Sequence, residues 1–322
     1  MKVIYMGTPL FSLAPLKALK EHGFDIAMLI TQPDRRRGRK MQITYSELKT
    51  YALDNGIEVF QPEDVNSSES IAKIKDTEAD VIVVASYGQI IKEEILYMKK
   101  YHSVNIHASL LPKYRGAAPV QAAIINEDEV TGITLMKMAK GLDTGNILMT
   151  REIAIADYDT ADTLTMKLSN LGAEMIVEYL SGLVALDEGT TQDDAKSSYV
   201  KMIKKEDAFI DFSESASKIE HIIRAMQPWP VAFTTYKGEN MKIFKADIVK
   251  ASSDADAGTI LNVNDDGILV KCKDDAIIIS EVQMPNKKRM KVSDYIRGNK
   301  IEIGERLGLD NDKLFNICGK IS

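Results

Sequence analysis

The chain has 322 residues, which suits about two domains, and its 45% hydrophobic and 27% charged content is that of a globular protein. The formal net charge is −6, from 41 basic and 47 acidic side chains, which excludes a nucleic-acid binder that is basic overall. Physiological salt screens charges beyond roughly 8 Å, so contacts with an anionic partner must come from local clusters.

The first half of the chain alternates predicted strands and helices. Thr8 is a good N-cap for the first helix, and Pro9 suits its first position. The run at 80–85 is apolar and β-branched, as in a strand buried on both faces. Repeated strand–helix units predict an α/β fold with an open, mostly parallel sheet. The predicted strands are 3–6, 24–31, 58–60, 80–85 and 103–107, and the predicted helices are 10–20, 46–55 and 68–75.

The second half changes character after a predicted helix at 160–183. A polar stretch at 187–198 is typical of a linker or loop, and a helix at 215–226 ends before Pro228-Trp229-Pro230. Short strands at regular spacing then predict a small barrel or sandwich. These strands are 231–236, 241–249, 258–263, 267–272 and 276–282. We therefore expect a first domain over 1–190, a linker over 191–206 and a β domain over 207–322.

The cysteines and the N-terminus bear on cofactors and location. Cys272 and Cys318 stand far apart and belong to no C-x-x-C pair, which predicts neither a zinc site nor a disulfide and favours a cytoplasmic chain with reduced thiols. The histidines are not spaced as metal ligands, so no metal is expected. The apolar run after Lys2 is too short for a signal peptide, and no apolar stretch approaches the roughly 18–20 residues that span a bilayer.

Two polar side chains end the strand predicted at 103–107. Asn105 and His107 are two positions apart, so both point to the same face of the sheet. Pro112 and Gly116 then impose a defined loop. An amide donor and an imidazole at a strand end can hold a developing oxyanion and handle a proton. A solvated histidine with a structural asparagine explains the spacing equally well.

A third candidate is Asp143, which lies between two glycines in Gly141-Leu142-Asp143-Thr144-Gly145. Glycines allow a backbone to turn sharply near a ligand. A turn aspartate that bonds its own backbone is the commoner explanation of such a segment taken alone. A carboxylate within reach of His107 would favour the protonated imidazole and make a couple usable near neutral pH.

Basic residues concentrate at two places on this acidic chain. The first cluster follows the second predicted strand and consists of Arg35, Arg36, Arg37, Arg39 and Lys40. Such a run is usually a solvated face or a sorting signal, but on an acidic chain a concentrated patch next to a strand end favours phosphate binding. A second cluster in the β-rich part consists of Lys287, Lys288, Arg289 and Lys291.

Several common motifs do not occur. Gly7 lacks the second and third glycines of the dinucleotide fingerprint, which argues against a nicotinamide oxidoreductase. The chain also has no Walker A, H-E-x-x-H or G-x-S-x-G motif.

Taken together, the motifs resemble those of the folate-dependent formyltransferases, and in particular of those that act on methionyl-tRNA. The resemblance runs from residue 1 to about residue 310. The segments that carry it are Asn105-Ile106-His107, Ser109–Gly116, Gly141–Gly145, Gly7-Thr8-Pro9 with Phe11, Thr31–Arg35 with Gly38-Arg39, Phe60–Pro62, Tyr87-Gly88, Gly116–Pro119 and Pro228-Trp229-Pro230.

The resemblance implies a Rossmann-like catalytic domain and an OB-like C-terminal β domain. It implies transfer of a formyl group from 10-formyltetrahydrofolate to the α-amine of initiator methionyl-tRNA, by a cytoplasmic monomer. By the same resemblance, Asn105 and His107 bracket the formyl carbonyl and Asp143 pairs with His107. The residues expected to line the folate site are Tyr87, Gly88, Gln89, Ile90, Ile91, Ser109, Leu110, Leu111 and Pro112, and the two basic clusters are expected to contact tRNA.

Three other functions are compatible with parts of this pattern. A formyltransferase acting on glycinamide ribonucleotide or an amino sugar would share the Asn–His–Asp set, but would not explain both basic clusters and the β domain. An RNA-binding module with an inactive enzyme fold would leave the three candidate residues free to vary, yet all three are present. A nicotinamide oxidoreductase is the third, and the missing glycines weigh against it.

Overall fold

The computed structural model describes residues 1–37, 42–43, 45–183 and 185–308. Predicted strands and helices recur in it with ends that differ by a few residues. The strands are β1 (Lys2–Gly7), β2 (Asp25–Ile30), β3 (Arg36–Arg37), β4 (Gln42–Ile43), β5 (Val59–Phe60), β6 (Val81–Ala85), β7 (Ser103–His107), β8 (Arg115–Gly116), β9 (Val130–Lys137), β10 (Ile147–Ala154), β11 (Tyr199–Val200), β12 (Phe233–Tyr236), β13 (Glu239–Val249), β14 (Ile260–Asn264), β15 (Gly267–Lys271), β16 (Ala276–Gln283) and β17 (Met290–Lys291).

The helices connect these strands. They are α1 (Leu13–Glu21), α2 (Glu47–Asp54), α3 (Ser68–Asp76), α4 (Glu93–Leu96), α5 (Pro119–Ile125), α6 (Ala161–Gly182), α7 (Ala216–Ala225) and α8 (Val292–Ile296). Short 3-10 helices span Leu10–Ser12, Asp194–Lys196 and Glu206–Ala208. Ser46, Ser67 and Ser215 cap α2, α3 and α7, each accepting a hydrogen bond from a backbone N–H three residues on, which explains why these three helices start where they do.

A seven-stranded sheet in the order β10-β9-β7-β6-β1-β2-β5 forms the first unit. The strands from β7 to β5 pair in parallel, while β9 and β10 extend the sheet antiparallel. The predicted mostly parallel sheet is therefore confirmed. From β1 the chain passes to β2 and β5 on one side and later to β6 and β7 on the other. Open α/β sheets bind ligands at such a reversal, outside the carboxyl ends of the strands.

The core of this unit explains why the parallel strands are continuous apolar runs. All residues of β6 are buried, as expected for a strand covered on both faces. Ile4 of β1, Ile30 of β2 and Ile82 of β6 belong to one buried cluster that also contains side chains of α3 and α4.

The start of the first helix differs from the prediction. Thr8 does not cap it, because its hydroxyl donates a hydrogen bond to the carbonyl of Tyr87, 2.9 Å away and 79 residues further along the chain. A 3-10 turn intervenes, and α1 begins only at Leu13. A tertiary partner therefore takes the side chain that local capping rules assign to the helix.

The described chain divides into two compact units. The first comprises Met1–Pro119, Val130–Ala154 and Leu164–Val200, and the second comprises Val120–Glu129, Ile155–Thr163 and the chain from Lys201 onward. The second unit holds an antiparallel sheet in the order β12-β13-β16-β15-β14, with β17 beside β16. Ile243, Val270 and Ile277 lie in its core. The short strands predicted for this part are confirmed.

The two edge strands of the second sheet, β12 and β14, both form backbone hydrogen bonds with the segment 304–308. The N–H of Ile260 in β14 donates to the carbonyl of Glu305, 2.8 Å away, and the N–H of Gly304 donates to Ile260 at the same distance. Four residues after Gly304, the N–H of Gly308 donates to the carbonyl of Thr235 in β12, at 2.9 Å. Segment 304–308 thus bonds to both edge strands of the sheet.

The sequence also predicts reduced cysteines and no membrane-spanning segment. Cys272 is buried, and burial raises the pKa of its thiol to about 12, so this cysteine is a protonated core residue. Cys318 lies outside the described residues. Within the described part of the chain, no helix combines the length and the apolar character needed to cross a bilayer.

Candidate active site

Strand β7 carries Asn105 and His107 in the interior of the first unit. The two side chains lie on the same face of the sheet and are only 8% and 6% exposed as residues. Among the described residues, none forms a hydrogen bond with the side-chain amide of Asn105. A nearly buried amide without a protein partner is available to a ligand.

The imidazole of His107 is oriented by a backbone carbonyl and faces a carboxylate. Its Nε2 lies 3.0 Å from the carbonyl oxygen of Tyr114, and its Nδ1 lies 3.7 Å from Oδ2 of Asp143. A carbonyl oxygen only accepts hydrogen bonds, so Nε2 carries a hydrogen in both protonation states. Nδ1 is therefore the ring nitrogen that this carbonyl leaves open, and it faces Asp143.

The loop after β7 holds that carbonyl in place. The hydroxyl of Ser109 donates to Lys113 O at 2.6 Å, and the hydroxyl of Thr134 on β9 donates to Ser109 O at 2.7 Å. The N–H of Leu111 donates to the same Thr134 hydroxyl at 3.0 Å, and the Leu111–Pro112 peptide is cis. These bonds fold the loop back so that Tyr114 reaches the end of β7.

The loop that carries Asp143 starts at the other end of β7. Lys137, the last residue of β9, pairs with Val104, and the next N–H bonds to the first residue of β7. The loop must therefore run alongside β7 before its carboxylate meets His107. The N–H of Gly116 donates to Asp143 Oδ2 at 2.8 Å. Asp143 itself has φ +51°, a left-handed conformation that aspartate tolerates better than most residues.

Glycines permit the two close approaches in this region. A Cβ at Gly145 would overlap the carbonyl oxygen of Lys137, so the return of the Asp143 loop against β9 requires glycine. Gly116 has φ +114°, and a Cβ there would overlap the carbonyl of Val200 across the β8–β11 pair. Of the two glycines that flank Asp143, Gly145 is thus explained by its packing against β9.

Arg115, between Tyr114 and Gly116, is a buried cation that the sequence prediction missed. Its guanidinium donates to Gln192 Oε1 from Nε at 3.1 Å and from Nη2 at 2.8 Å, and to Asp194 Oδ1 at 2.7 Å. Nη1 donates to the Tyr199 hydroxyl at 3.0 Å. Burial opposes the charge, but the hydrogen bonds to Tyr199 and Asp194 outweigh it and raise the pKa of Arg115 above its ordinary value.

Gln192 connects this arginine to the Asp143 loop. Its Nε2 donates to the carbonyl of Asp143 at 2.8 Å and to the carbonyl of Gly145 at 2.7 Å. The sequence prediction placed this glutamine in a linker. A single glutamine in a polar stretch carries no signal that would have indicated this role.

The segment predicted to line the folate site after β6 is partly exposed. Because β6 and β7 are parallel neighbours, Tyr87–Ile91 leaves the same sheet edge as the loop after His107. Tyr87 and Ile91 are buried, whereas Ile90 is 84% exposed. The Gln89 amide is bound to backbone groups of residues 62–65. On the β7 side, Ser109 and Leu111 are buried and Leu110 and Pro112 are half-buried.

A polar cavity of about 300 Å³ lies at the carboxyl ends of β1, β2 and β6. Beside it Lys49 pairs with Asp34 and donates to Gln61 Oε1 at 2.6 Å. Burial alone would raise the pKa of Asp34, but hydrogen bonds from Lys49 and Gln61 outweigh it and lower that pKa. The lining residues are Thr8, Gln32, Pro33, Asp34, Arg35, Ser46 and Gly88.

The two predicted tRNA-binding clusters are described only in part. Arg35 is exposed, whereas Arg39, Lys40 and the side chains of Arg36 and Arg37 lie outside the described structure. In the second cluster Lys287, Lys288 and Lys291 are exposed. Arg289 is bound to Glu281 through two hydrogen bonds, of 2.8 and 2.6 Å, and its guanidinium carbon lies 4.4 Å from the centre of the Phe244 ring.

Among the residues that the structure describes, no group of three or more His, Cys, Asp or Glu side chains is placed to hold a metal ion. The candidate site itself contributes three functional groups: the Asn105 amide, the His107 imidazole and the Asp143 carboxylate.

Comparison with known protein families identifies this combination of an α/β unit and a separate β unit. The chain matches the family model for formyl transferase over residues 1–180, and the model for the formyl transferase C-terminal domain over residues 202–300. Both units of the chain are thus those of formyl transferases.

Comparison with individual proteins shows which kind of formyl transferase the chain resembles. The chain is 44% identical over 305 residues to the methionyl-tRNA formyltransferase of Clostridium novyi, a match covering 94% of this chain and 98% of that protein. The chain therefore belongs to the methionyl-tRNA formyltransferase family.

Two solved structures share the fold. The sugar 3N-formyl transferase WlaRD, whose structure was determined with dTDP and 5-N-formyl-THF, has a TM-score of 0.64 at 23% identity and covers 89% of this chain and 99% of its own. A methionyl-tRNA formyltransferase from Clostridium thermocellum has a TM-score of 0.54 at 21% identity, covering 77% of this chain and 93% of its own.

Proposed function

We propose that the protein transfers a formyl group from 10-formyltetrahydrofolate to the α-amino group of initiator methionyl-tRNA, giving formylmethionyl-tRNA for translation initiation. The observation that carries this proposal is the meeting of Asn105, His107 and Asp143 in a member of the methionyl-tRNA formyltransferase family, with 3.7 Å between His107 Nδ1 and Asp143 Oδ2. Its test is the comparison of acceptors described below.

In the proposed reaction the attacking amine forms a C–N bond to the formyl carbon, and the bond from that carbon to N10 of the folate breaks. The amine loses a proton and N10 gains one, so no covalent enzyme intermediate is required. A free α-amine has a pKa near 8, and its protonated fraction must lose a proton before attack. The enzyme has to stabilise the tetrahedral oxyanion and assist these proton transfers.

We assign these tasks to three side chains. Asn105, whose amide is free to donate, stabilises the oxyanion, a contribution typically worth about 10²–10³ in rate for one donor. His107 donates or accepts a proton at Nδ1, because Nε2 is held by the Tyr114 carbonyl. Asp143 stabilises the imidazolium through charge, and its hydrogen bond from Gly116 keeps the carboxylate facing the ring.

We place the folate between the segments Tyr87–Ile91 and Ser109–Pro112. The side chains of Gln89 and Ser109 are already bonded to the protein, so the contacts from these segments come from backbone groups and from apolar side chains. Ile90 is the exposed apolar member of the set. Apolar walls with a few oriented polar groups suit a flat heterocycle such as a pterin.

For tRNA we propose the loop with Arg35, Arg36, Arg37, Arg39 and Lys40, together with the exposed Lys287, Lys288 and Lys291. Arg289 is bound to Glu281, so its direct contribution to phosphate binding is smaller than its charge indicates.

Replacing Arg35, Arg36 and Arg37 together with alanine is expected to weaken methionyl-tRNA binding and to reduce its salt dependence. Each lost phosphate contact lowers the slope of log K against log salt by roughly 0.7–0.9. Fluorescence anisotropy at several salt concentrations measures both quantities. Replacing Lys17 and Lys20 of α1 is the matched control, and a triple variant with the slope of the unmodified protein would show that the loop does not contact phosphate.

Among three acceptors, we expect methionyl-tRNA to be formylated with a kcat/KM at least about 100-fold above that for glycinamide ribonucleotide or for a nucleotide-linked amino sugar. A ratio of kcat/KM values of this size is usual when the rejected substrate leaves polar groups of the binding site without hydrogen-bond partners. Steady-state assays with 10-formyltetrahydrofolate measure all three. Preferential formylation of either small acceptor would replace the proposed function by that rival.

For the whole molecule we propose a cytoplasmic monomer with a Rossmann-like catalytic domain over 1–190 and an OB-like domain over 207–322. Residues 191–206 join them in sequence, and those up to Val200 belong to the first compact unit. Segment 304–308, which bonds to both edges of the second sheet, supports a closed, barrel-like arrangement there. We propose the cytoplasm as the location because the proposed substrate is a tRNA that serves translation initiation. Light scattering coupled to size-exclusion chromatography tests the monomer.

A further inference from the structure

We propose that Gln192 is a positioning residue that, anchored by Arg115, holds the Asp143 loop against β7 so that the carboxylate faces His107. The proposal rests on the proposed function for its kinetic consequences. Its structural consequence, the position of the carboxylate relative to Gly116, holds whatever the substrate is.

The orientation of the Gln192 amide follows from its partners. The guanidinium of Arg115 has only donors, so it must face the Gln192 oxygen, while the carbonyls of Asp143 and Gly145 only accept, so they must face the nitrogen. All four contacts lie between 2.7 and 3.1 Å. Gln192 is 7% exposed, so these bonds are shielded from water.

Arg115 is a fixed anchor for this amide. Its side chain is 2% exposed and is bonded to Asp194 and to the Tyr199 hydroxyl as well as to Gln192. Its backbone N–H donates to Ser198 O at 2.8 Å, within the pairing of β8 with β11. The amide oxygen of Gln192 is therefore tied to a cation that cannot easily move.

The Asp143 loop needs such a clamp because its path is unsupported by sheet pairing. The loop leaves β9 beside the first residues of β7 and reaches the end of that strand only by running along it. Gln192 binds the carbonyls of Asp143 and Gly145, and Gly116 binds the carboxylate. Loss of the two carbonyl bonds would let the carboxylate drift, and a misplacement of about 1 Å can cost about 100-fold in rate.

The variants Gln192→Ala and Gln192→Glu test the clamp. A glutamate still accepts from Arg115 but sets an oxygen against the two loop carbonyls, so it keeps the anchor and removes the clamp. For both variants we expect kcat to fall about 10- to 100-fold while KM for methionyl-tRNA stays within about threefold. Gln227→Glu, at a glutamine of the second unit whose amide likewise donates to two backbone carbonyls, is the matched control and should stay within about twofold.

Hydrogen–deuterium exchange resolved by residue gives a readout that needs no substrate. The Gly116 N–H is bonded to Asp143 Oδ2, whereas the Ala117 N–H is bonded to Val200 O in the β8–β11 pairing. In both Gln192 variants the Gly116 amide should exchange at least about tenfold faster while the Ala117 amide is unchanged. That contrast separates movement of the loop from general loosening.

Unchanged kcat together with unchanged Gly116 exchange in Gln192→Glu would overturn the proposal. Equal acceleration at Gly116 and Ala117 would also overturn it, because Gln192 would then only stabilise the fold. If Gln192→Ala does not fold, Gln192→Glu carries the test. If the unmodified protein does not formylate methionyl-tRNA, the proposed function fails while the exchange result still decides the role of Gln192.

Discussion

The His107→Ala variant is expected to formylate methionyl-tRNA at least about 100-fold more slowly than the unmodified protein under single-turnover conditions. Alanine removes the imidazole that lies 3.7 Å from Asp143 and to which we assign the proton transfers of the reaction. General acid–base groups contribute typically 10²–10⁴ in rate. A rapid-quench measurement with enzyme in excess reports the chemical step itself.

Affinity for tRNA in the same variant should stay within severalfold, because His107 is almost fully buried and carries none of the proposed phosphate contacts. His22→Ala is the matched control, since this exposed histidine is the C-cap of α1 and its ring contacts the carbonyl of Ala18 in that helix. Near-full single-turnover activity in purified, folded His107→Ala would show that the catalytic assignment is wrong.

Removing the carboxylate at position 143 should have an effect of similar size. Asp143→Ala and Asp143→Asn are both expected to lower the single-turnover rate at least about 100-fold, equivalent to about 2.7 kcal/mol in the barrier. Asparagine still offers an oxygen to the Gly116 N–H and preserves the shape of the loop, but it has no charge to stabilise a protonated His107. The same rapid-quench assay measures both variants.

Comparing the two substitutions separates charge from position. Equal losses in Asp143→Ala and Asp143→Asn would indicate that the charge beside His107 is what matters. Full activity in Asp143→Asn would refute an electrostatic role. Asp54→Asn, at an exposed position of α2, controls for the loss of one negative charge from the whole protein.

Much of the fold could be predicted because single elements carry their own signals. Strand β7 was predicted with the bounds that the structure has, Ser103–His107, and Pro112 and Gly116 indicated the loop that follows it. The strands of the second sheet were predicted from their short length and regular spacing and from turn pairs such as Lys237-Gly238, whose positive φ values suit a tight hairpin.

Features that depend on distant partners could not be predicted. Strands β9 and β10 were missed, although β10 alternates between partly buried and exposed positions as an edge strand does. Asp143 was connected to His107 only through resemblance, because nothing local shows that its loop runs along β7. Arg115 and Gln192 are 77 residues apart, and neither residue type nor spacing reveals their bond.

Segment 304–308 also determines how far the protein can be shortened from its C-terminus. A chain ending before Gly304 would leave the N–H and C=O of Ile260 in β14 and the C=O of Thr235 in β12 without these partners. Unpaired backbone groups at a sheet edge are the geometry through which sheets of separate molecules join and aggregate. We therefore expect truncation before Gly304 to promote self-association of the protein.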